Sequence, residues 1–280
     1  MRSQVRIVTD STADIAPDEA RALGITVVPL RVFFGNRQFW DGVDLTPPRF
    51  YQMLGEAPEL PRTEPPDAPM MYGLYTQLIA QGAESILSLH ISSRLSATAI
   101  AAREAARHID PRVPVAVVDS GTVSIGLLPA VRFAAQMAQV GAPLEAIKEA
   151  VNDVLARTRL YFLVETLEYL QRGGRIGRAQ RLLGTLLDAK PLLTIAEGEV
   201  APVETVRPRQ RAHERLSELV RQLGPVSELY IGQTDDELGR MVGQNMGAFY
   251  AGTIHRGWIG ATVGTHMGEG VGVAAVLRGA

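Results

Sequence analysis

The sequence contains no cysteine, which excludes a disulfide, a thiolate nucleophile and any cysteine-held zinc site. Lysine is nearly missing too: Lys148 and Lys190 are the only two, and arginine carries the remaining positive charge. Arginine meets carboxylates and phosphates as a planar fork, although a solvated surface accounts for most of these residues. The five histidines are scattered, with no His-x-x-x-His pair, which argues against a metal site. A net charge of -2 and a pI near 6.2 offer no basic face for nucleic acid. No run approaches the roughly 18 apolar residues that span a bilayer, and Met1-Arg-Ser-Gln-Val-Arg6 lacks the apolar segment of a secretion signal. The expectation is a soluble, cytoplasmic protein without stable membrane insertion.

What is present reads as an α/β chain. Its 280 residues, 46% hydrophobic with 27 Gly and 17 Pro, suit two closely packed domains of ordinary size, divided here as 1–156 and 157–280. The organising stretch is Ser85 to Ala102, where an apolar strand (Ile86, Leu87, Leu89, Ile91) passes through hydroxyl side chains into an alanine-rich helix that begins near Leu95 or Ser96. Free N–H groups at a helix start, together with serine hydroxyls, form an anion site. Equally, Ser93 and Ser96 are ordinary helix caps.

Before this stretch, Val5–Thr9 reads as a strand ending in Asp10-Ser-Thr-Ala-Asp14, and Pro17 opens a helix to Leu23. Ile25–Phe34 reads as one strand made edge-like by Pro29, turning at Gly35-Asn36 into Arg37–Trp40. A short helix spans Pro48–Leu54. Four prolines within Glu56–Asp67 make a stiff loop, and Asp67 caps a helix from Ala68 to Ala80. After the central stretch come a strand at Val113–Val118, Asp119-Ser120, and helices from Val123 to Val140 and from Pro143. This alternation predicts a mostly parallel N-terminal sheet flanked by helices, with ligands at the carboxyl ends of its strands. The second half restarts with a strand at Arg159–Val164. Helices at Thr166–Gln171 and Ala179–Leu187, a hairpin at Leu192–Val206, a helix at Arg209–Leu223 and further strands to Leu277 follow.

No Walker loop or dinucleotide fingerprint is present, since Gly268-x-Gly270-x-Gly272 precedes the last strand. The nucleophile elbow Gly-x-Ser-x-Gly is missing as well. A serine hydrolase acting on lipid esters would need Ser93 or Ser96 to converge with His266 and Asp10 or Asp119. His266 is read equally well as a histidine bonded to backbone in a glycine-rich turn.

Taken together, Val8-Thr-Asp-Ser-Thr-Ala-Asp14, Pro61-Arg-Thr63, Ile91-Ser-Ser-Arg-Leu-Ser-Ala-Thr98, Val118-Asp-Ser120, Leu170-Gln-Arg-Gly-Gly-Arg-Ile176, Lys190-Pro191, Val206-Arg207 and Thr265-His-x-Gly-x-Gly270 resemble the DegV family of bacterial fatty-acid-binding proteins, in order and over the whole chain. The resemblance implies two α/β domains holding one long-chain fatty acid in a tunnel near their junction, without catalytic residues, metal or other cofactor. It assigns the carboxylate to Thr63 and Ser96, with Ser93 as a neighbouring candidate and His266 in support. It further implies a partner kinase that phosphorylates the bound acid, docked through Arg175 and Arg207. Two departures stand out: Glu64-Pro65 follows Thr63 where the family has Ser-Gln, and Ala97 follows Ser96 where the family has glycine. Glu64 is therefore expected to face solvent. A sugar or dihydroxyacetone kinase subunit is suggested by fold analogy alone.

Overall fold

The computed structural model describes residues 5–184, 189–208 and 211–279. Four parallel strands, β1 (Val5–Asp10), β2 (Ile25–Val28), β6 (Ser85–His90) and β7 (Val115–Asp119), form a sheet in the order β2-β1-β6-β7. Both of its faces are covered, which is why these strands are apolar at successive positions. Ile7, Leu87 and Leu89 pack on helices α5 (Leu128–Gln139) and α6 (Leu144–Arg157), while Val8 and Ile86 pack on α3 (Ala68–Ala80) and α4 (Thr98–Ala106). Helix α1 (Pro17–Leu23) joins β1 to β2, with proline at its start and Gly24 at its end. Asp67 caps α3 by accepting from the Met70 amide at 2.9 Å.

The expected single strand over Ile25–Phe34 is two. Pro29 cannot donate to a ladder; the chain leaves β2 there and continues as β3 (Arg31–Phe34) in a separate three-stranded sheet, order β4-β3-β5, with β4 at Arg37–Trp40. Helix α2 (Pro47–Glu56) follows. The proline-rich segment, read as a loop, contributes strand β5 (Arg62–Glu64), which pairs antiparallel with β3 and sets Thr63 opposite Val32. Three residues between prolines are too few to carry a strand pattern.

The second half builds a six-stranded sheet in the order β10-β9-β8-β13-β11-β12. Its strands are β8 (Thr158–Val164), β9 (Lys190–Ala196), β10 (Glu199–Val206), β11 (Val226–Gln233), β12 (Ile254–Trp258) and β13 (Gly270–Leu277). All neighbours are antiparallel except β11 and β12. One face packs on α8 (Ala212–Arg221) and α9 (Asp236–Gly247). The other face carries Leu160, Phe162, Leu193 and Ala274 and turns toward Ile125 and Leu128 of the first half.

Helix α7 is shorter than expected, Glu168–Arg172. The helix read from Ala179 is a 3-10 turn at Gly177–Leu182, and the end placed at Leu187 lies outside the described residues, as does the start placed at Arg209. The sequence reading also missed helix α10 (Ala261–Met267), whose β-branched and glycine residues lower its helical preference.

Candidate functional site

A cavity lies where the two halves meet. The first half supplies Thr63 from β5, Ile91 and Ser96 from the β6–α4 connection, and Ile125. The second half supplies Phe162 and His266 among others. Its free space, mouth included, is about 810 Å³, the size of a small-molecule site. Arg175 is the one formally charged side chain among the described residues that line it. The lining is otherwise apolar apart from a few hydroxyls and His266.

Thr63 and His266, 203 positions apart in sequence, come together, with Thr63 Oγ1 and His266 Nε2 separated by 2.8 Å. Local geometry explains both positions. β3–β5 pairing fixes Thr63. His266 rides on α10, whose first amides are held by a buried carboxylate: Asp41 accepts from the Ala261 amide at 3.0 Å and the Thr262 amide at 3.1 Å. Asp41 thus does the work of a helix cap from a distant loop. His266 therefore sits in a helix and is not the backbone-bonded histidine of a glycine-rich turn.

His266 Nδ1 is buried without a protein partner among the described residues, and a side chain at Gly173 would collide with it. The first glycine of Gly173-Gly174 is thus a space requirement of the His266 ring. The second lies at φ +69, in the left-handed region that favours glycine. Of the two ring tautomers, the one donating from Nε2 leaves a lone pair, not an N–H, without a partner. It also frees the Thr63 hydroxyl proton to point into the cavity.

Burial, aided by the positive charge of Arg175, pushes the His266 pKa down from 6.5 to about 4. The unfolded chain therefore takes up this proton first. The stability that comes from keeping the ring uncharged is complete above about pH 6.5 and is lost as pH falls toward 4. Burial acts oppositely on Asp14 and Asp41, raising both carboxyls against the bonds they accept from Ser124 and Thr262 respectively. Their contribution is present at low pH and is lost as pH rises. Urea unfolding of wild type and His266→Gln at pH 7 and 4.5 separates the two effects. The variant is expected to lose less stability on acidification, by up to about 3 kcal/mol; equal losses would remove His266 as the source.

Ser96 lines the cavity and its hydroxyl lies 2.9 Å from that of Thr98. The α4 helix begins at Thr98, later than expected, after a turn closed by the Ser92 carbonyl, and its cap residue Ala97 makes no side-chain bond. Ser93 is not among the lining residues; its amide donates to Asp119 at 3.2 Å. Arg175 is held by two main-chain carbonyls, Leu95 at 3.0 Å and Gly173 at 2.6 Å, so one guanidinium ties the Ser96 loop to the His266 side of the mouth. Arg207 is exposed and directly follows β10. Glu64 turns to Arg62 and Arg31, as a solvent-facing acid would.

The serine–histidine–acid convergence considered from sequence does not form. His266 bonds Thr63, Ser96 bonds Thr98, and Asp10 belongs to another histidine. In the first half, Tyr75 donates to Ser88 at 2.8 Å, Ser88 Oγ lies 2.7 Å from His90 Nε2, and His90 Nδ1 lies 2.8 Å from Asp10 Oδ2. Asp10 also accepts from the Ile91 amide and from the amide and hydroxyl of Thr12. All five side chains are inaccessible, so this array is a structural girder that holds the cavity-lining Thr12 and Ile91. The sequence did hold a signal for it: Ser88 and His90 are polar residues two apart on an apolar strand, hence on one face.

Among the described residues no helix is long and apolar enough to cross a membrane, and no group of three or more His, Cys, Asp or Glu is placed to hold a metal ion.

Comparison with known proteins places this geometry. A family model described as "Uncharacterised protein, DegV family" matches residues 4–278. A DegV domain-containing protein of Deinococcus radiodurans is 36% identical over 276 residues, covering 96% of this chain and 97% of that one. One from Streptomyces coelicolor is 34% identical over 276 residues, covering 97% of both. Among solved structures, a DegV family protein from Thermus thermophilus, described by its fatty acid binding, superposes with a TM-score of 0.90 at 32% identity, covering 99% of this chain and 100% of that one. DegV from Bacillus subtilis, described as a fatty acid binding protein, gives 0.89 at 27% identity with the same coverage. With the match running over nearly the whole sequence and the fold shared throughout, the chain belongs to the DegV family.

Proposed function

We propose that this protein binds one long-chain fatty acid between two domains, 1–156 and 157–280, and presents its carboxylate to a partner fatty acid kinase for acyl-phosphate formation, itself acting as a non-catalytic cytoplasmic carrier. The observation that carries the reading is a mostly apolar cavity in which Thr63 and His266 meet at 2.8 Å and which Ser96 and Arg175 also line. An ionised head group cannot be buried without donors. Here the Thr63 hydroxyl, oriented by His266 Nε2, and the Ser96 hydroxyl supply them, with Ser93 nearby on the same loop. Among the described residues that line the cavity, Arg175 supplies the only charge complement. The fatty acid binding ascribed to the Thermus thermophilus and Bacillus subtilis relatives supports the same ligand class.

Kinase docking through Arg175 and Arg207 rests on their match to the family's motif. Arg175 lines the cavity, and Arg207 is solvent-accessible.

Native mass spectrometry of protein purified from a bacterial host tests the ligand. The expected result is a mass increment matching one fatty acid, released by solvent extraction; consistently empty protein would sink the reading. With a fatty acid kinase supplied, Arg207→Glu is expected to keep the ligand and lose acyl-phosphate formation. Full phosphorylation would remove Arg207 from docking.

A further inference from the structure

The cavity has a second compartment behind it. It is a cleft with about 1910 Å³ of free space, open solvent included, bordered by β2, β12 and the start of α1. Ile125 lines both spaces. Its neighbours divide between the two: Ser124 and Ile259 face the acyl cavity, Asp14 and Gly260 the cleft.

The wall between them is held by specific bonds. Ser124 donates its hydroxyl to Asp14, and Asp14 accepts from the Gly260 amide at 2.9 Å. Ser124 sits at φ +58, a conformation uncommon for a residue with a side chain and sustained only where the surroundings fix it. Ile125 is 3% exposed. Its two branches face glycines on β11 and β13: a Cβ at Gly232 would lie 3.2 Å from Ile125 Cγ2, and one at Gly272 3.3 Å from Cδ1. The side chain thus fills a slot that no larger neighbour contests.

We infer that Ile125 is the partition that closes the blind end of the acyl cavity and sets the longest chain the protein accepts. The inference rests on the fatty-acid reading above. Shortening this side chain joins the cavity to the cleft and gives a longer acyl tail a way through. Fatty acids too long for the first cavity are the class this residue rejects.

Palmitate and behenate, offered together to wild type, Ile125→Val and Ile125→Ala and read by native mass spectrometry of the loaded protein, test it. Wild type is expected to favour palmitate. In Ile125→Ala the behenate-to-palmitate affinity ratio should rise about ten-fold, equal to about 1.4 kcal/mol of discrimination, and in Ile125→Val about three-fold. An unchanged ratio in variants that still load palmitate overturns the partition, and the valine variant decides alone if the alanine variant does not fold. Wild type that loads neither acid overturns the fatty-acid reading itself.

Discussion

Asp10→Ala is expected to lower the free energy of unfolding by about 3–5 kcal/mol, because several buried donors lose their acceptor at about 1–3 kcal/mol each. The carboxylate is fully buried and accepts from four donors: the Thr12 amide and hydroxyl, the Ile91 amide and His90 Nδ1. Each donor left dry and unpaired costs about 1–3 kcal/mol, and the surrounding strands leave little room for water to replace the lost oxygens. Asp10→Asn should fare only slightly better, because its amide group presents N–H where a donor already points. The measurement is the urea midpoint at constant slope. A loss below about 1 kcal/mol would mean that the array from Tyr75 to Asp10 is not the girder described here. Since Thr12 and Ile91 line the cavity, variants that remain folded should also bind the proposed ligand more weakly.

Octanoate is expected to bind about four orders of magnitude more weakly than palmitate. Its roughly eight missing methylenes, at about 0.8 kcal/mol each, amount to about 6 kcal/mol of apolar burial, which converts to that factor. The head groups are identical, so the comparison isolates the tail. By contrast the carboxylate contacts are each limited to about 1.5–3 kcal/mol, the range for hydrogen bonds to charged groups. On the proposed reading tail burial dominates affinity, while Thr63, Ser96, His266 and Arg175 would orient the head group. Competition titration with both acids measures the ratio. Affinities within ten-fold of each other would show that the cavity does not hold the acyl chain.

Considerable parts of the protein were legible one segment at a time. Pro17, Gly24 and Asp67 mark helix ends by local chemistry, and the continuous apolar runs of β1, β6 and β7 follow from a sheet covered on both faces. The motifs around Thr63, Ser96 and His266 named the candidate site residues because short runs of unusual composition survive as recognisable strings.

What one residue's neighbours in sequence cannot tell is who its neighbours in space are. Strand β5 exists because β3 offers it an edge, and α10 is stabilised by Asp41 from 220 positions away, so neither carries a sufficient local signal. Likewise the alternating Ser88 and His90 hint at a shared face, yet only packing brings Asp10 and Tyr75 to it. The amino-acid order by itself determined the α/β succession, the absence of cysteine chemistry and the family motifs, all of which depend on covalent composition and local backbone preference. Only the tertiary structure decided that Thr63 meets His266, that Arg175 lines the same cavity and that Ile125 borders two spaces, because each depends on contacts closed over long stretches of chain.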